Sequence, residues 1–233
     1  VTDDQPPTSV AARRGTPPER PSGPGTPVRR PDPVGADLEP TAGRPTVERI
    51  HRVDRALRDR LLQIWTDVSN AGGWVGFVPP VTTGDVAPAL DAALVRVHRG
   101  DDWLVVVRSG RRDAAATSGV AGFAFVAEND RLLSEHWRWV LRVQVHPEHQ
   151  GEGLGVVLLD GIGRMADEFG LEMLYLTVRG GEGLEAFYAR AGYREVARMP
   201  RAIRVAPGDD RDQVVLMHEL RRPDDPAVGA GAA

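Results

Sequence analysis

The sequence predicts an α/β domain over residues 46–221, flanked by two polar tails, and three observations carry this. Apolar runs of strand length alternate with stretches in which apolar residues recur every three or four positions. Clusters of Gly, Asn and Asp separate these stretches. The composition also changes at both ends: residues 1–45 hold 11 of the 19 prolines, mixed with Gly, Arg, Thr and Asp. Such a segment has too little apolar surface to offset the entropy of ordering it, so residues 1–45 and 222–233 are expected to be disordered. A partner-binding arm is the alternative for the first of them.

The elements follow in order. Thr46–Val53 reads as a strand. Asp54 caps a helix that carries Leu57, Leu61, Ile64, Trp65 and Val68 on one face, and Asn70-Ala71-Gly72-Gly73 stops it. Asp85 opens a second helix that ends near Gly100. WLVVVR (103–108) and GVAGFAFV (119–126) form a hairpin, and Trp137–Val145 is a longer strand. A helix with Leu158, Leu159, Ile162, Met165, Ala166 and Phe169 at helical spacing ends at Gly170. MLYLTV (173–178) is almost wholly apolar, as a central strand requires. A short helix over LEAFYARAG and two strands, YREVARM and QVVLMHEL, complete the domain.

Composition excludes several kinds of chemistry. With 29 basic and 33 acidic residues the net charge is −4, which gives no electrostatic case for a nucleic-acid partner. There is no cysteine, so disulfides, thiolate metal ligands and a cysteine nucleophile are ruled out. Every basic residue is arginine, which excludes a P-loop or Schiff-base lysine and suggests a GC-rich bacterial genome. The six histidines form no H-x-x-x-H pair, so no metal site is expected. No apolar run approaches the roughly 18 residues of a membrane span. No secretory h-region follows the N-terminus either, so a soluble, cytoplasmic protein without a membrane partner is expected.

The stretch HPEHQGEGLG (146–155) joins a strand to a helix, and another strand follows. That order turns loop amides and a helix N-terminus toward one place, where an anion is favoured. A dinucleotide fingerprint would need G-x-G-x-x-G and an acid after the next strand. The chain has Gly151-x-Gly153-x-Gly155 and Arg179 instead. Gln150-x-x-Gly153-x-Gly155 resembles the pyrophosphate-binding motif Q/R-x-x-G-x-G/A of the GNAT acetyltransferase superfamily. Leu141, Val143, Val145 and Pro147 precede it as the family's fourth strand does, and AFYARAGY (186–193) resembles the family's aromatic helix and the turn after it. The resemblance spans residues 46–220 in element order and is sharpest over 137–196.

It implies a mixed, mostly antiparallel central sheet flanked by helices on both faces, and acetyl-CoA as cosubstrate. It also implies that the fourth and fifth strands splay, with the backbone of Val143 and Val145 binding the pantetheine arm. Gln150, Gly151, Gly153, Leu154 and Gly155 would then surround the pyrophosphate. Two positions depart from the pattern: Glu152 stands where a basic residue is common, and Gly181 where the family often has asparagine.

The implied reaction moves acetyl to an amine, which must be neutral to attack. Tyr188 matches the family's general acid; packing on the sheet is its other reading. The fourth strand contains no acid, so candidates for the base lie at its entrance, Glu135 and His136, or on the preceding turn, Glu128 and Asp130. His146 reads as structural and His149 as solvated. GGWVGFVPP (72–80) is a loop over the core or a wall of the acceptor pocket. APGDDRDQ (206–213) reads as a solvated turn, although its three aspartates suit a cationic amine. Arg179 and Arg190 are phosphate ligands or surface charges. The expected function is N-acetylation of a small-molecule amine by direct transfer in a ternary complex. A non-catalytic CoA-binding sensor or scaffold and a protein N-acetyltransferase with an open groove are the alternatives. A homodimer is compatible with any of these.

Overall fold

The computed structural model describes residues 43–110, 119–129 and 131–220. Both expected tails, apart from residues 43–45, lie outside them, as do Asp130 and most of the hairpin connection after Arg108. Seven strands form one sheet: β1 (Thr46–Ile50), β2 (Trp103–Arg108), β3 (Val120–Ala127), β4 (Trp137–Val145), β5 (Met173–Arg179), β6 (Arg194–Ala206) and β7 (Asp209–Glu219). Their spatial order is β1-β2-β3-β4-β5-β7-β6. Only β4 and β5 are parallel, and the other neighbours are antiparallel. Helices α1 (Arg55–Asn70) and α2 (Thr83–Arg99) cover one face, and α3 (Leu154–Glu168) covers the other. A short α4 (Leu184–Arg190) follows β5.

The two cores follow from alternation along the central strands. Trp103, Val105 and Val107 point toward α3, whereas Leu104 and Val106 point toward α1 and α2. β2 and β3 are therefore apolar on both faces. Leu158 and Ile162 of α3, and Leu61 and Ile64 of α1, are wholly buried. Each such side chain contributes about 1.5–3 kcal/mol.

Local chemistry sets the helix ends. The Asp54 carboxylate accepts the Leu57 amide at 2.8 Å, as expected of a cap. The second helix begins at Thr83, earlier than the expected Asp85. Thr82 is its cap, and Asp85 is the reciprocal partner that accepts the Thr82 amide at 2.8 Å. Gly100 ends this helix in the left-handed conformation. β1 ends at Ile50 rather than Val53, because the chain must turn before Asp54 can cap α1.

The last two strands are longer than their apolar residues suggest. APGDDRDQ is not a solvated turn but the end of the β6–β7 hairpin. Its aspartates are occupied by arginines: Arg204 donates to Asp210 at 2.7 Å, Arg211 pairs with Asp209, and Arg198 reaches Asp212 at 3.4 Å. Charge pairing thus extends the ladder where apolar alternation has stopped.

Two irregularities create the site. β4 pairs with β5 only through Trp137–Trp139 against Met173–Tyr175, and then the strands part. β5 meanwhile stays paired with β7 as far as Arg179. On its other side β4 carries a bulge: Phe125 faces Leu141, but Phe123 already faces Gln144. Arg142 occupies the bulge with φ +54°.

Candidate active site

A cleft of about 690 Å³ opens where β4 leaves β5, and the α1–α2 loop and the β6–β7 hairpin also border it. The His146 amide donates to the Ala121 carbonyl at 2.8 Å, so His146 and Gln144 turn their backbone toward β3. Alternation then turns the backbone groups of Val143 and Val145 into the opening. Their side chains pack on the α3-side core. The Gln150 side chain acts locally, donating from Nε2 to the Val145 carbonyl at 3.0 Å, and so ties the loop to the strand.

The three loop glycines serve two purposes. Gly151 and Gly153 have φ of +83° and +79°, and a Cβ on either would meet nothing within 4 Å. There the need is conformational, and Gly153 supplies the turn into α3. Gly155 has an ordinary helical backbone, but its Cβ would lie 3.0 Å from the Phe187 ring. It is a packing glycine that lets α3 approach α4. Among the described residues, the amides of Gly151, Gly153, Leu154 and Gly155 have no protein acceptor. They lie at the start of α3, where the helix dipole favours an anion. The Glu152 carboxylate lies 3.7 Å from His149 Nδ1. His149 is 7% exposed, so it is a buried loop residue and not a solvated one. His146 is structural, with Nε2 3.0 Å from Asp67.

Tyr188 lines the cleft and is 8% exposed, with its ring edge-on to Phe187 and Tyr193. Burial pushes its phenol well above the ordinary range, which keeps it protonated. Tyr188 thus packs on its neighbours and also borders the opening.

Glu135 and His136 are placed differently from expectation. They stand at the closed end, where the Glu172 amide donates to the His136 carbonyl at 2.7 Å, and neither lines the cleft. The parallel ladder at Trp137–Trp139 separates them from the opening. Glu128 lies 3.3 Å from Arg138 and does not line the cleft either. The carboxylate that does is Glu182, 2.8 Å from Arg179 and 3.8 Å from Arg211. Arg179 is buried, and its guanidinium lies over the Trp74 ring. Desolvation lowers its pKa, and Glu182 opposes the shift. Arg190 is exposed and is not part of the cleft.

The loop Gly72–Val78 is both core cover and cleft wall. Trp65 Nε1 donates to the Val75 carbonyl at 2.9 Å, and Phe77 packs edge-on against Trp65. The Asn70 side chain both donates to and accepts from the Val81 backbone at 2.9 Å. Trp74 faces the opening. Two further residues escaped sequence reasoning. Arg142 and Gln144 line the cleft from the bulged part of β4. They interrupt the apolar pattern of a strand otherwise read as core, and that interruption was the available signal.

Residues 79–193 match the acetyltransferase (GNAT) family. No curated protein is similar enough in sequence to count as a match. Among solved structures, yncA from Salmonella typhimurium, described with its cofactor acetyl-CoA, superposes with a TM-score of 0.59 at 18% identity, covering 79% of this chain and 99% of that one. A ribosomal-protein-alanine N-acetyltransferase from Brucella melitensis gives 0.57 at 18%, covering 75% and 99%. A spermidine N-acetyltransferase SpeG chimera from Vibrio cholerae and hSSAT gives 0.57 at 14%, covering 76% and 96%. These acceptors differ widely on one fold, so the fold alone does not select the acceptor. The family match over residues 79–193, the sheet order and the parted β4–β5 pair agree on a GNAT acetyltransferase domain in this chain.

Proposed function

We propose that this protein is an N-acetyltransferase that moves acetyl from acetyl-CoA to the primary amine of a small molecule, by direct transfer in a ternary complex. The observation that carries this is the parting of β4 from β5, which opens the backbone of Val143 and Val145 toward the free amides at the start of α3. The residues fit the cofactor. The 151–155 turn offers amides to a pyrophosphate, and the opened β4 edge offers ladder groups to an amide-bearing chain. Acetyl-CoA, when bound there, would supply an activated acetyl thioester to the amine, with the thiol of CoA as the leaving group.

The chain's own residues do the rest. Backbone amides facing the opening are donors for an oxyanion. Tyr188, kept neutral by burial, holds a proton at its phenolic oxygen for a departing sulfur. Glu182 is held between two arginines, so the cleft has no free carboxylate base among its described residues. The acceptor amine then attacks from its neutral fraction, or loses its proton to water. The size of the cleft and the Trp74 wall favour a small acceptor over a protein segment.

Calorimetric titration of acetyl-CoA, with Gly153→Glu as control, tests the reading. Micromolar binding that the control loses is expected, and absence of binding by wild type would overturn it. Binding without turnover of any amine would favour the non-catalytic reading, which the missing free carboxylate makes specific.

A further inference from the structure

Among the described residues, the side-chain wall of the cleft carries a charge with no counter-ion. Three arginines and one glutamate line the opening among the described residues: Arg142, Arg179, Arg204 and Glu182. Arg179 is paired with Glu182 and Arg204 with Asp210. Arg142 has no ion-pair partner among the described residues. Its guanidinium lies 5.5 Å from the Trp65 ring centroid and presses on Gly76 of the α1–α2 loop, which leaves no room there for a Cβ. Burial lowers its pKa, and no nearby carboxylate offsets the shift. A largely desolvated guanidinium without a counter-ion is costly, and a ligand oxyanion would relieve that cost.

A second, independent observation lies two residues away. Gln144 is 3% exposed, lines the same cleft, and neither its Nε2 nor its Oε1 has a partner among the described residues. It stands opposite Phe123, which packs on the α1 side. Cross-strand neighbours share a face, so Gln144 lies on the same side of β4 as Arg142. The bulge brings them together: the left-handed residue at 142 breaks the alternation, and Val143 and Val145 stay on the α3 side. A buried amide with both donor and acceptor free suits a ligand with an oxyanion and an N–H. Phe77, Leu176 and Ile203 supply apolar surface around these groups.

We propose that the acceptor is a primary amine bearing its own oxyanion, a carboxylate or phosphonate of amino-acid size, which Arg142 holds with the help of Gln144. This rests on the acetyltransferase reading above and adds the acceptor class to it. A polycationic amine would meet Arg142 as a like charge and is disfavoured.

The test is calorimetric binding to the full chain loaded with CoA. The probes are leucine, its aminophosphonate analogue, leucinamide and spermidine. Leucine or the phosphonate should bind at least about tenfold tighter than leucinamide and spermidine, as a charge-assisted bidentate contact requires. Whichever acid binds tighter identifies the oxyanion. Arg142→Asn, chosen because Asn tolerates the left-handed backbone, should reduce the margin to about twofold and leave acetyl-CoA affinity within about twofold. Gln144→Leu should reduce the same margin, and serves if the first variant does not fold. Equal binding of leucinamide or spermidine, or no binding of either acid, overturns the proposal. So does a tenfold loss of acetyl-CoA affinity in Arg142→Asn with the margin intact, which would place Arg142 on the cofactor. Failure of wild type to bind acetyl-CoA defeats the acetyltransferase reading itself, whatever the acceptor panel gives.

Discussion

On one wall of the cleft the groups that face the opening are main-chain groups of Val143 and Val145, with the amides of the 151–155 turn beyond Gln150 at its end; on the other they are side chains, Arg142, Gln144, Trp74 and Arg179. The first wall needs only a strand that leaves its neighbour and a turn whose residues tolerate positive φ. The second needs a bulge, a loop pinned by Trp65, and an arginine pressed against a glycine. A backbone wall suits a ligand common to a whole family, because every sequence that keeps the turn keeps the donors. A side-chain wall can change with each substitution, and the proposed acceptor contacts are built on it.

The largest expected effect breaks the backbone wall. Gly153→Glu forces a side chain onto φ +79° and adds a carboxylate at the anion site, so acetyl-CoA binding should fall by more than about 100-fold by calorimetry. Tyr188→Phe lies between the walls. It should lower kcat about 10²-fold at saturating acetyl-CoA while the cofactor Kd stays constant. A packing role alone would lower the melting temperature instead.

Trp65→Phe loosens the side-chain wall. It removes the donor to the Val75 carbonyl and should cost about 1–3 kcal/mol in denaturant unfolding, with a raised KM for the acceptor and an unchanged Kd for acetyl-CoA. Gly155→Ala drives a methyl into Phe187 and should cost about 1–3 kcal/mol, with recovery when Phe187→Leu is added. If Gly155 were instead needed for approach to phosphate, the double variant would fold but still fail to bind acetyl-CoA.

The smallest effect lies in the ion pairs of the β6 and β7 strands. Hydrogen bonds from Arg198 and Arg204 hold the Glu195 and Asp210 carboxyls below their usual range. A depressed native pKa means that this stabilisation is complete above the ordinary carboxylate range and is lost as the pH falls through the native values. Glu195 is exposed and Asp210 half-buried on the rim of the hairpin, so the loss should be small and further reduced by salt. Melting curves at neutral and acid pH, in low and high salt, check it.

How much was legible differs between the walls for a physical reason. Gly151 and Gly153 announce their turn because few other residues tolerate that backbone, and the need is satisfied within the loop. Asp54 and the Trp137–Val145 strand were legible on the same local grounds. Arg142 was not, because its orientation depends on a register slip against Phe123 and Phe125, some 20 residues earlier in the chain. Glu135 and His136 had suitable chemistry but stand at the stitched end of β4, which depends on its pairing with β5. The aspartates of 206–213 looked free because their arginine partners lie across a hairpin whose length exceeds its apolar pattern.

The sequence by itself determined the element order, the apolar faces of the helices, the absence of cysteine and lysine chemistry, and the glycine turn at 151–153. Each of these rests on interactions within a few residues, or on composition. Only the tertiary structure decided where β4 leaves β5, that Gly155 packs against Phe187, and that Arg142 and Gln144 share one face of a bulged strand. Those features arise from contacts between distant segments, and a linear pattern carries no record of which segments meet.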